Sequence, residues 1–203
     1  MASTFDSSIV CPVMVGREAV LAHAIRTAGR AAEGRGAVLL ISGEAGVGKS
    51  RLAAEIAAHF PASGVVLRGA CFEPDRGLPF APFADLLETT LEGSSSEEIA
   101  IQLGAALPDL ARIVPLLAAA LGPLPEPDDP HQEQRRIAAA LDDAIERLRH
   151  GGPLLLQIED LHWAGDASLD LLLRLARATT RRPILLVMTL RSDVQQPSLE
   201  HLL

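Results

Sequence analysis

The stretch "LLISGEAGVGKSRLAAEIAAHF", residues 39 to 60, constrains this chain more than any other. Its centre, "GEAGVGKS" (43–50), matches the spacing G-x-x-x-x-G-K-[ST], with a short apolar run before it and an Ala-rich helical pattern after it. Lys49 is the only lysine among the chain's 18 Lys and Arg residues. Glycines in this loop let the backbone curl until successive N–H groups point inward and form an anion nest. The helix that follows adds the positive end of its dipole. Lys at position 49 fits as a compact point charge reaching the β- and γ-phosphates, where the wider planar fork of Arg would not. Gly43, Glu44, Ala45, Gly46, Val47, Gly48, Lys49, Ser50 and Arg51 are therefore candidate nucleotide-binding residues, with the Ser50 hydroxyl as a magnesium ligand. No G-x-G-x-x-G can be laid on these glycines, so a Rossmann dinucleotide site is excluded. GTP selection through N-K-x-D is excluded too, because the single lysine is already used.

The rest of the chain reads as alternating strands and helices. "GREAVLAHAIRTAGRAAEGRG" carries Val20, Leu21, Ala24, Ile25 and Ala28 at helical spacing. "AVLLIS" (37–42) has the continuous apolar character of a fully buried parallel strand. A helix over 49–60, a strand over 64–69 and a Pro- and Phe-rich loop follow, then two or three helices between about 83 and 121. "GPLPEPDDP" (122–130) reads as a surface loop and 131–150 as an amphipathic helix. A third strand (154–158), a helix (168–179) and a fourth strand (183–190) complete the pattern. Strands separated by helices imply an α/β fold: a P-loop three-layer sandwich, with a mostly parallel sheet between helices and ligands at the carboxyl ends of the strands. The expected organisation is a leader over 1–14 and one core over 15–203, with a helical insertion over about 83–150. Gln157 interrupts an otherwise apolar strand with no reason visible in the sequence.

A phosphate loop needs a metal partner and a group that positions water. "LLLQIEDLHWAGDAS" places Glu159 and Asp160 at the tip of the third strand, and both are candidate catalytic and metal-binding carboxylates. The strand-end position puts Glu159 on the metal side with Ser50, and Asp160 nearer an attacking water. Arg191, at the end of the fourth strand, is placed to sense the γ-phosphate. His162 reads as a packed structural residue, and Asp166 or Ser168 as a helix N-cap. The strand over 64–69 falls between the loop strand and the carboxylate strand in the chain. That order suggests a sheet with the arginine strand beside the loop strand.

Together "VGRE", "GEAGVGKSRL", "VLRGACFEPDRGLPFAPFADLL", "EDLHWAGDASLDLLL" and "ILLVMTLRSD" resemble the ATPase module of the STAND class, signal-transduction ATPases with numerous domains. The resemblance is to its AAA-like subgroup, as found in the N-terminal part of large ATP-binding LuxR-type transcriptional regulators. It implies ATP and Mg²⁺ as cofactors and slow hydrolysis that resets a switch. It places Val15, Gly16 and Arg17 near the adenine and makes Arg191 a sensor arginine. It implies sensor and output domains as partners and allows self-association on ATP binding. It also implies a fifth strand and a closing domain, before which this chain reads as truncated. Gly165 stands where the family commonly has Asp, and Glu159 where many related ATPases have Asp. A small-molecule kinase and a hydrolysis-dead nucleotide-binding module are the other readings the loop admits.

Composition narrows the setting. A net charge of −8 argues against nucleic-acid binding through the overall field, although Arg174, Arg177, Arg181 and Arg182 cluster locally as a solvated helix face and its last turn. Cys11 and Cys71 match no metal or disulfide spacing and read as buried thiols. No basic leader and no run of membrane-spanning length is present, so a cytoplasmic protein without membrane contact is expected.

Overall fold

In the computed structural model, which describes residues 18–122, 124–125 and 129–193, the chain alternates helices and strands around one parallel sheet. Helix α1 (Glu18–Ala32) leads to strand β1 (Ala37–Gly43), helix α2 (Lys49–Ala58) and strand β2 (Val65–Ala70). Helices α3 (Ala81–Leu91), α4 (Ser96–Leu103), α5 (Leu107–Leu110), α6 (Pro115–Leu121) and α7 (Pro130–Leu148) follow. Strand β3 (Leu154–Glu159), helix α8 (Asp166–Ala178) and strand β4 (Ile184–Arg191) complete the described chain. The sheet order is β1-β4-β3-β2, and every pairing is parallel. The arginine strand therefore lies between the loop strand and the carboxylate strand, as the order of elements suggested.

Because side chains alternate across a strand, β3 and β4 feed two cores. Leu155, Leu185 and Val187 face α1 and α2, where Ala24, Ala28 and Ala31 let the helices approach closely. Leu154, Leu156, Ile158, Leu186 and Met188 face the larger core built with α3, α7 and α8. The residues of β3 and β4 are buried nearly throughout, which accounts for their unbroken apolar sequences.

The same reasoning fails for β1. No residue of β1 is buried and Val38 is 38% exposed, because among the described residues β1 pairs only with β4 and lies at a sheet edge. The expectation of a fully buried strand is corrected accordingly. Between residues 81 and 121 there are four α-helices rather than two or three. Each short helix has its own start signal: Pro at the first turn of α3, α5 and α6, and a Ser95–Glu98 capping box at α4. In the box, Ser95 Oγ accepts from Glu98 N at 3.3 Å, and Ser95 N donates to Glu98 Oε2 at 2.7 Å.

The N-cap of α8 is Gly165 in an extended conformation, not Asp166 or Ser168. Asp166 opens the helix and Ser168 is fully buried inside it. The glycine has a packing reason: a Cβ there would lie 3.1 Å from the Arg76 carbonyl oxygen. A side chain would press on the loop after β2. Residues 1–14, Val15, Gly16, Arg17 and part of the 122–130 loop lie outside the described residues. No single described helix is long and apolar enough to cross a membrane.

Gly69 seats α3 on β2, since a Cβ there would approach the Pro82 carbonyl oxygen to 2.1 Å. Gly69→Ala is expected to lower the unfolding free energy by about 3 kcal/mol through overpacking, measured by chemical denaturation. Cys71, just beyond β2, is buried, and its thiol is pushed up to about 12, first by burial and then by Asp160 and Asp85. A raised thiol favours the fold while neutral. Its contribution is complete below the ordinary value of 9.0 and is lost as pH rises toward about 12. In a Cys11→Ser background, Cys71 should resist alkylation at pH 8 in the native protein and react readily in denaturant.

Candidate functional site

All four strands run the same way, so their carboxyl ends form one edge of the sheet, and the predicted residues gather there. The loop turns through Gly46 (φ +76°) and Gly48 (φ +86°), both in the left-handed region that side chains disfavour. No atom would obstruct a Cβ at either position, so the requirement for glycine there is conformational rather than steric. Gly48 caps α2 with no side-chain bond, leaving the first-turn N–H groups of the helix for a ligand.

Lys49 opens α2 and is only 8% exposed. Its Nζ donates to the carbonyl oxygens of Gly43 at 3.0 Å and Glu44 at 2.8 Å. Among the described residues it has no ion pair. An ammonium has three donors, so one remains for an anion in the loop. Glu44, Ala45, Val47 and Ser50 are exposed around it and Arg51 is half-buried.

The tip of β4 abuts the loop. Arg191 is in register with Gly43, and Ser192 N donates to the Gly43 carbonyl at 3.2 Å. The Arg191 guanidinium is engaged by Asp193 in a two-pronged pair, Nε to Oδ1 at 3.0 Å and Nη2 to Oδ2 at 2.6 Å. These bonds hold the Asp193 carboxyl down at about 2.

At the tip of β3, Glu159 Oε1 accepts from Gln157 Nε2 at 2.7 Å. Asp160 adopts a left-handed conformation (φ +55°, ψ +46°), with its N–H donating to Thr189 Oγ1 at 3.0 Å. Asp is one of the few residues that tolerates this region. His162 is 2% exposed, and its Nδ1 lies 3.9 Å from Asp160 Oδ1 with no hydrogen bond. Burial pushes the imidazole below its ordinary value, outweighing the attraction of Asp160, and the charges of Arg191 and Lys49 push the same way. The ring itself stands 4.9 Å from that of Trp163.

Ser50, Lys49, Glu159, Asp160 and Arg191 thus share one sheet edge. Sequence reasoning missed three supporting residues: Thr189, Asp193 and the role of Gln157. Gln157 stood out in the sequence as a polar position in an apolar strand, and Thr189 could have been noted on the same ground, while Asp193 carries no local signal.

The donor set fits a polyphosphate with a hard cation. The loop offers backbone donors and a buried ammonium that has no carboxylate partner among the described residues. No cluster of three or more His, Cys, Asp or Glu that could cage a metal occurs among the described residues. The Ser50 hydroxyl and the strand-tip carboxylates are hard oxygen donors, and magnesium takes one or two protein oxygens of that kind and keeps phosphate and water for the rest.

Comparison with known proteins agrees. A family model described as an AAA ATPase domain matches residues 13–187. An uncharacterised protein of Rhizobium meliloti (strain 1021) is 31% identical over an alignment of 169 positions, which covers 78% of this chain but only 16% of that protein. A chain in the structure of Drosophila ORC bound to AT-rich DNA and Cdc6 aligns with 91% of this chain and 55% of its own length. Its identity is 15% and its TM-score 0.38. With the family model spanning the loop and both carboxylates, the chain belongs to the AAA ATPase domain family.

Proposed function

We propose that this chain is the ATP-binding switch module of a larger signalling or transcription-regulatory protein, with slow Mg²⁺-dependent hydrolysis as its reset. The observation that carries the reading is the Lys49 ammonium, buried beneath a glycine loop and met, among the described residues, only by carbonyl oxygens. Such a charge is costly to bury without a counter-ion, and a bound phosphate supplies one. The small fraction of the Rhizobium relative that this chain spans supports a module within a longer protein. Sensor and output domains are then its partners, and the STAND-like pattern of "EDLHWA" and "TLRSD" favours a regulatory role over a metabolic one. The net charge of −8 favours DNA contact elsewhere than on this segment, and a cytoplasmic setting without membrane contact suits the same role.

The residues divide the work. Loop N–H groups and Lys49 bind and orient the phosphates, and Ser50 with Glu159 holds the metal. When bound, magnesium neutralises charge on the phosphate oxygens. Asp160, placed one residue further on and turned by its left-handed backbone, orients or deprotonates water. Arg191 senses the γ-phosphate. It is paired with Asp193 through Nε and Nη2, which leaves Nη1 for a second anion.

Lys49→Ala should weaken ATP binding at least about tenfold, since charge-assisted hydrogen bonds to phosphate contribute about 1.5–3 kcal/mol each. Equal affinities in a titration would remove the assignment. Turnover should stay well below about one per second, the low end for ordinary enzymes. Phosphoryl transfer to a small metabolite would favour a kinase instead.

The two carboxylates should separate in phenotype. Glu159→Gln is expected mainly to lower Mg²⁺-dependent ATP affinity. Asp160→Asn is expected to leave ATP bound and slow its cleavage, because only the transition state uses that group. Binding titrations and phosphate-release assays decide between this register and its reverse.

A further inference from the structure

Gln157 is the only polar side chain buried within β3, and packing alone gives no reason for it. It is 2% exposed, with Arg68 and Val187 as its register partners on the neighbouring strands. A leucine or methionine would fill the position without leaving a polar atom stranded. The carboxamide does strand one: Nε2 donates to Glu159 Oε1 at 2.7 Å, while its own buried Oε1 has no partner among the described residues. An orphaned buried acceptor is a stability cost with no return inside the core. What offsets it is the bond to Glu159, two residues on and on the same face of the sheet, the α1–α2 side.

We propose that Gln157 is a positioning residue for the Glu159 carboxylate. It takes Oε1, fixes the rotamer at the strand tip and leaves Oε2 to serve the metal. The inference rests on the reading of Glu159 as the metal-side carboxylate. A carboxamide suits the task better than the other polar residues. Lys or Arg would neutralise the carboxylate and compete with a cation, Ser would be too short to reach it, and Glu would repel it. A neutral donor orients Glu159 while preserving its charge, as second-shell groups do for ligands at metal sites.

The test substitutes Gln157→Met, which keeps the length and removes both the donor and the orphaned acceptor, with Gln157→Leu as a second variant. ATP binding is titrated with EDTA present and then across Mg²⁺ concentrations, alongside thermal unfolding. The expected result is an unchanged or raised Tm, unchanged metal-free ATP affinity, and a Mg²⁺ midpoint about tenfold higher in both variants. In a Glu159→Gln background the second substitution should shift the midpoint no further, because Gln157 acts only through that carboxylate. An unmoved midpoint in Gln157→Met, while Glu159→Gln moves it, overturns the inference. So does an equal loss of metal-free and Mg²⁺-dependent binding, which marks a packing role. If Glu159→Gln itself leaves the midpoint unmoved, it is the metal-side reading that fails.

Discussion

One carbonyl oxygen, that of Gly43, joins the parts of this site. It ends β1, accepts Lys49 Nζ at 3.0 Å and accepts Ser192 N at 3.2 Å. A carbonyl has two lone pairs, and here one is directed to the loop and the other to the strand beside it. Moving Gly43 would displace the start of α2 through Lys49 and the tip of β4 through Ser192 together. A Cβ at Gly43 would come within 3.0 Å of Val47 Cγ2, so the exposed Val47 side chain would have to turn away. Gly43 is therefore tied to the tip of β4 by a backbone–backbone bond and to α2 by the Lys49 side chain.

The sheet extends that coupling. β4 lies between β1 and β3, so each of its faces and both of its edges meet another part of the fold. Its hydroxyl at Thr189 holds the Asp160 N–H, and its last residue stands in register with the loop. The same strand carries the arginine and braces the carboxylate turn. A parallel sheet makes this arrangement natural, because its strand ends all emerge on one edge, where the loops can share a ligand.

The phosphate loop, the two carboxylates, the arginine and the parallel architecture were legible in the sequence because each is a local pattern. Glycine spacing, an acidic pair after an apolar run and alternating strand and helix signals all survive without tertiary information. Burial of β1 was misread because an apolar run does not reveal whether a strand has neighbours on one side or two. The start of α8 was misread because Gly165 is fixed by the approach of the Arg76 carbonyl, from a loop some ninety residues away in sequence. Thr189 and Asp193 went unnoticed because their partners are set by strand pairing and by the turn after β4. Gln157 was visible as an oddity, but its partner could be named only once side chains on one strand face were seen together.

Glu159 and Asp160 show why a strand end suits paired carboxylates. Within a regular strand, adjacent residues point to opposite faces, and two neighbouring acids could not serve one ligand. Glu159 closes the regular part of β3 and keeps the alternation that aligns it with Gln157. Asp160 breaks it with a left-handed backbone, and the Thr189 hydroxyl satisfies the N–H that the ladder no longer uses. Backbone in that region carries a conformational cost for most residues, which Asp reduces, and the short helical turn over Leu161–Trp163 follows directly. That turn buries His162 against the carboxylate it follows. The direction of the second carboxylate is thus set by a break in the strand, and the break is stabilised by the neighbouring strand that also carries Arg191.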